Sequence, residues 1–156
     1  MMRLFIFFFM SVSTTFSSHA NDAAAINHIL DSLHQYAANA DAERYFSLYA
    51  DEAIFIGTDA TETWRLDEFK RYAMPYFDKG QGWTYKSIDR ELYFSDSNDV
   101  AWFVEMLESD SLGVTRGTGV LQKYGNKWLI EQYHLTLPIP NAMIDQVAEQ
   151  IEQHSR

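Results

Sequence analysis

Apolar residues recur at helical spacing early in the chain. Ile26, Ile29, Leu30, Leu33 and Ala37 make one stripe along "AAINHILDSLHQYAANA", the pattern of a helix with one buried face. Asp41 is placed to cap a second short helix, "AERYFSLYA", which carries Tyr45, Leu48 and Tyr49 on one side. "AIFIGTDATETW" reads as a strand from Ile54 to Gly57, a loop, and a short strand at Trp64. A third helix, "RLDEFKRYAMPYF", turns Leu66, Phe69, Ala73 and Phe77 inward, with Pro75 either kinking it or marking its frayed last turn.

After Gly80 and Gly82 the period changes to two. "WTYKSIDRELYF", "DVAWFVEMLES", "GVTRGTGVLQKY" and "KWLIEQYHLTL" are consecutive strand-like runs joined by short connectors, which predicts an antiparallel meander. "NAMIDQVAEQIEQ" closes the chain as a helix with Ile144, Val147, Ala148 and Ile151 on one face. Helices precede the long strands, so the fold class is α+β: a curved antiparallel sheet with helices packed on one face.

The start of the chain follows a different rule. Arg3 precedes an apolar run from Leu4 to Met10, then small polar residues ending in Ser18-His19-Ala20. The run is too short to cross a bilayer and has the layout of a secretory leader cut after Ala20. Residues 1–20 are thus expected to be a signal peptide, 21–156 a single domain, and the protein secreted or periplasmic. Loss of Arg3 lowers the basic count from 12 to 11 against 22 acidic residues, a net charge of −11. Such a chain repels phosphate backbones and anionic lipid, so neither nucleic acid nor membrane is an expected partner. There is no cysteine, which removes thiol nucleophiles and thiolate metal sites. Phosphate-cradling glycine loops, nucleophile elbows and HExxH are absent too, and no cofactor or metal is expected.

Two N-terminal helices, "FIGTDATETW", a third helix, "GWTYKSIDRELYF", "VAWFVEML" and "TRGTGVLQKYGNKWLIEQYHLTLPIPN" together resemble the SnoaL-like branch of the nuclear transport factor 2-like superfamily. The resemblance covers about residues 22 to 140. It implies a cone, with a bent sheet wrapped around the helices and a cavity at its open end, plus here an extra C-terminal helix. That superfamily holds isomerases, cyclases, dehydratases, transport adaptors and dimerising modules, so the fold leaves the chemistry open.

His134 interrupts a strand that is otherwise half apolar. With Gly125-Asn126 as a two-residue hairpin turn, Lys123 faces Trp128 and Leu121 faces Ile130. Continued without a bulge, that register sets Gly119 opposite Gln132 and Gly117 opposite His134. Two glycines across from an amide and an imidazole would leave room beside hydrogen-bonding groups, as a pocket needs; a bulge would reverse part of the alternation. His134 is then a general base, a ligand anchor, or a histidine satisfied at a rim.

Asp59 and Glu62, in the loop before Trp64, form a second polar cluster. Asp59 is either a carboxylate acting at the cavity mouth or the start of an Asx-turn. Glu105 and Arg116 each face water, pair with one another, or, for Arg116, receive an anionic ligand group. Trp64, Trp102, Tyr36 and Tyr49 complete the candidate lining. His28 and His34 lie on different faces of the first helix, with His34 nearer the apolar stripe.

Three functions fit. The first is a secreted domain binding a small, largely apolar molecule in its cavity. The second is an isomerase, cyclase or dehydratase moving a proton next to a carbonyl, with Asp59 or His134 as base. The third is a homodimerising module with a filled cavity, joined through an outer sheet face carrying Tyr133, Leu135 and Leu137. An enzyme requires a titratable group inside a hollow with its partner within hydrogen-bond reach.

Overall fold

The computed structural model describes residues 15–154. Its elements are α1 (Thr15–Ala38), α2 (Ala42–Phe46), β1 (Tyr49–Ile56), β2 (Thr63–Arg65), α3 (Leu66–Phe77), β3 (Lys86–Phe94), β4 (Val100–Ser109), β5 (Gly113–Tyr124), β6 (Lys127–Thr136), a 3-10 turn (Asn141–Met143) and α4 (Ile144–His154). Most of the expected leader, residues 1–14, lies outside the described residues. From Thr15 to Ala20 the chain already belongs to α1. No helix among the described residues is long and apolar enough to cross a membrane.

The strands form one open, curved sheet in the order β2-β1-β6-β5-β4-β3. The meander β3 to β6 is antiparallel, as expected. The sheet as a whole is not: β1 runs parallel to β6. Everything between these two strands acts as one long crossover, which a parallel pair requires and which no local period reveals. Strand β1 also begins at Tyr49, so α2 is shorter than expected and Tyr49 is a strand residue. Pro75 sits in the last turn of α3, which ends at an Asp78 cap with its amide bonded to Met74 O.

One face of the sheet is inward. The apolar stripe of α1 (Ile26, Leu30, Leu33, Ala37) and that of α3 (Leu66, Phe69, Ala73, Phe77) pack with Phe103, Leu107, Leu121, Ile130 and Tyr133 in a single buried cluster. At about 25 cal/mol per Å2 of apolar surface removed from water, such stripes supply the main force holding helices to sheet. The start of α1 is fastened separately. Asp22 Oδ1 accepts from Trp128 Nε1 at 2.9 Å and Lys123 Nζ at 2.7 Å, while Oδ2 accepts from Asn98 Nδ2 at 2.8 Å. By contrast, α4 buries no residue.

Candidate site in the cone cavity

The hairpin register holds near the turn and then shifts. Lys123 pairs with Trp128 and Leu121 with Ile130, but Val120 pairs with Gln132, leaving Glu131 as an extra residue on β6. The bulge sets Gly119 opposite Tyr133 and Thr118 opposite His134, so the expected pairing of Gly117 with His134 is replaced by Gly117 with Leu135. A one-residue slip exchanges the faces. Tyr133 and Leu135 therefore turn inward and are buried, rather than forming an outer dimer face. Gln132 and His134 lie half-buried on the outer face, in register with Ile54 and Ile56 of β1.

The space beside the two glycines is filled. At Gly117 a Cβ would meet the Tyr133 hydroxyl and, at 2.9 Å, Glu105 Cγ and Oε1; at Gly119 it would meet Gln132 O and, at 2.7 Å, Phe103 Cε1. Trp102 and Arg116 are exposed on the outer face. Tyr36 is covered by the Arg44 guanidinium, 4.9 Å above its ring. Tyr49 is buried and exchanges a 3.1 Å hydroxyl bond with Tyr45. Asp59 is exposed and forms an Asx-turn, accepting from the Thr61 amide at 2.8 Å and the Thr61 hydroxyl at 2.6 Å. Asp59 and His134 are not brought together.

A hollow of about 190 Å3 lies elsewhere on the inner face, between α1, α3 and the β1–β2–β6 edge. Of the candidates from sequence, Trp64 lines it. Its wall is aromatic, with Phe55, Trp64, Phe69, Tyr72 and Trp83; its mouth holds Gly57, Thr58, Glu62 and Leu112. Its polar end holds His34, Tyr85 and Tyr133.

His34 sits on the buried stripe of α1, four residues after Leu30. Its Nε2 is 3.0 Å from Glu105 Oε1. Glu105 projects inward from β4 at 1% exposure. The same oxygen accepts from the Tyr133 hydroxyl at 2.8 Å. Oε2 accepts from Arg90 Nε at 2.9 Å, and Arg90 Nη2 lies 2.8 Å away as an ion-pair contact without hydrogen-bond alignment. Arg90 is held in turn by Asp31 and Asn27 of α1. Burial pushes the Glu105 carboxyl up, but the His34 hydrogen bond, the charges of His34 and Arg90 and the Tyr133 hydroxyl outweigh it and hold the group below the usual carboxylate range. Glu105 is thus ionised and accepts only. Burial, then the charge of Glu105, pushes the Tyr133 phenol well up, and burial alone raises that of Tyr85.

Two signals in the sequence mark this pair. His34 falls within an apolar stripe, and Glu105 alternates inward with Ala101, Phe103 and Leu107 in "AWFVEML". A polar group at each of two buried positions requires a partner, and the other is the available one. The bulge also left a trace, since the apolar phase of β6 jumps from Trp128 and Ile130 to Tyr133 and Leu135.

An open curved sheet wrapped on helices, hollow at one end, is the cystatin-like α+β arrangement. The chain belongs to the SnoaL-like domain family, which matches residues 26–140. Among curated proteins none matches. Solved structures of the same fold include a Nostoc punctiforme domain of unknown function with a cystatin-like fold, at 17% identity and TM-score 0.66 over 88% of this chain and 86% of that one. A Streptomyces avermitilis protein of the NTF2-like family, provisionally named a dehydratase, aligns at 14% identity and TM-score 0.64 over 78% and 99%. A Parabacteroides distasonis protein, provisionally named a ketosteroid isomerase, aligns at 17% identity and TM-score 0.56 over 71% and 86%. At these identities the likeness is one of fold.

Proposed function

We propose that this SnoaL-like domain binds a small, largely apolar molecule in the cone cavity, and that His34, backed by Glu105, moves a proton on it. One observation carries the proposal: an imidazole on the cavity wall with its Nε2 3.0 Å from a buried carboxylate. Because Glu105 only accepts, the proton between them belongs to His34 Nε2, and Nδ1 keeps its lone pair. No other bond engages Nδ1 among the described residues. A base oriented by an acid is what proton abstraction needs. The Tyr85 hydroxyl, on the same wall and free of protein partners among the described residues, stays protonated and can donate to a carbonyl oxygen as charge grows on it.

His34 thus takes the role that the sequence assigned to His134 or Asp59. The chemistry is proton transfer at a carbon next to a carbonyl, common to isomerases, cyclases and dehydratases. Deuterium uptake from heavy water into 2-tetralone, followed by mass spectrometry, tests it. The protein should accelerate uptake, and His34→Gln should remove at least about tenfold of that acceleration while 2-tetralone binding persists. Equal rates for the two proteins would reduce the cavity to a binding site.

Two expectations complete the proposal. Export with cleavage after Ala20 predicts a mature chain starting at Asn21, read by N-terminal sequencing; an uncut chain would oppose it. A second copy on the outer face is favoured by the exposed Tyr93–Trp102 stack, with ring centroids 6.0 Å apart, beside exposed Ile54 and Val104. Sedimentation should then show a dimer that Trp102→Glu dissociates, and a monomeric parent protein would exclude it.

A further inference from the structure

The cavity mouth carries a charge that the protein leaves unshared. Glu62 Oε2 accepts from the Asp59 amide at 3.2 Å, but no basic side chain pairs with it among the described residues. The carboxyl lies against Gly57, where any Cβ would collide with it. The bare α-carbon of Gly57 is therefore what allows the acid to fold over the opening.

Behind Glu62 the wall presents ring faces in a near-parallel row. Trp64 and Tyr72 stack at 4.7 Å, and Phe55 and Phe69 at 3.9 Å and 8°. No lysine or arginine lines the cavity. At the inner end Glu105 is offset by Arg90, so the mouth carboxylate sets the sign of the potential. Ring faces attract a cation through their quadrupole, and a carboxylate in a partly dry mouth strengthens that attraction. An anion meets repulsion from both.

We infer that the cavity takes a flat ring compound bearing a cationic nitrogen, with its ring along the aromatic wall and its ammonium at Glu62. The inference rests on the cavity being a binding site, as proposed above, but not on the proton transfer. Three compounds of one skeleton separate the ideas: 2-phenylethylamine, 2-phenylethanol and phenylacetate, titrated calorimetrically into the protein and into Glu62→Gln. The amine should bind roughly tenfold more tightly than the alcohol, and phenylacetate more weakly than either. Glu62→Gln should bring the amine down to the alcohol while the alcohol's own affinity holds, which also shows that the variant is folded. Amine and alcohol binding alike, phenylacetate binding best, or a preference that survives Glu62→Gln would each overturn the charge inference and leave the cavity standing. Failure of all three to bind would remove both.

Discussion

On the inner face of β4, Glu105 is 1% exposed and both of its oxygens meet donors. One strand over, on the outer face, Arg116 stands in water without an ion partner among the described residues. The two positions are near neighbours, since Arg116 precedes Gly117, the residue paired with Glu105. Strand alternation alone sends them into different media. In the dry medium a charge is coupled to every group around it; in the wet one it is nearly independent. His34 and His134 repeat the contrast for one residue type.

The largest expected effect comes from breaking the inner network. Glu105→Ala strands the Arg90 guanidinium, His34 and the Tyr133 hydroxyl, and should cost about 3–5 kcal/mol in urea denaturation. Arg116→Ala should cost less than about 0.5 kcal/mol. Similar losses for the two would erase the distinction between the faces.

Acid gives a smaller, graded effect. Glu105 binds its proton less readily when folded than when unfolded, so its contribution is present above the ordinary glutamate range and drains away as pH falls below it. Asp22 acts in the same direction: burial raises its carboxyl, but bonds from Lys123 and Trp128 and the charge of Lys123 bring it below the usual range. Urea midpoints followed downward from pH 7 should decline through that range, and the decline should be shallower in Glu105→Gln. Superimposable curves would mean that Glu105 titrates alike folded and unfolded.

The smallest effect belongs to His134→Gln. It should change stability by no more than about 0.5 kcal/mol and leave 2-tetralone exchange untouched, in contrast to His34→Gln. Loss of exchange in His134→Gln would move the chemistry to the outer face.

Much of the architecture was legible from periodicity. The stripe Ile26, Leu30, Leu33, Ala37 and that of α3 both point inward as their spacing requires, and the four-strand meander follows from short connectors. The parallel docking of β1 beside β6 was not legible, because strand order is a property of the packed whole. The site was less accessible for a related reason. His34 and Glu105 are 71 residues apart, and only the folded sheet brings a helix stripe onto an inward strand position. Trp64 was found because it follows the mouth loop directly. Gly117 and Gly119 do mark a close approach, but what approaches is Tyr133 and Phe103 rather than a ligand.

The fastening of Asp22 bears on how the chain comes together during synthesis. Two of its partners, Lys123 and Trp128, lie 101 and 106 residues further along. A ribosome must have delivered nearly the entire polypeptide before that carboxylate can be satisfied. The opening turn of the first helix therefore waits, unlatched, while everything after it is being made.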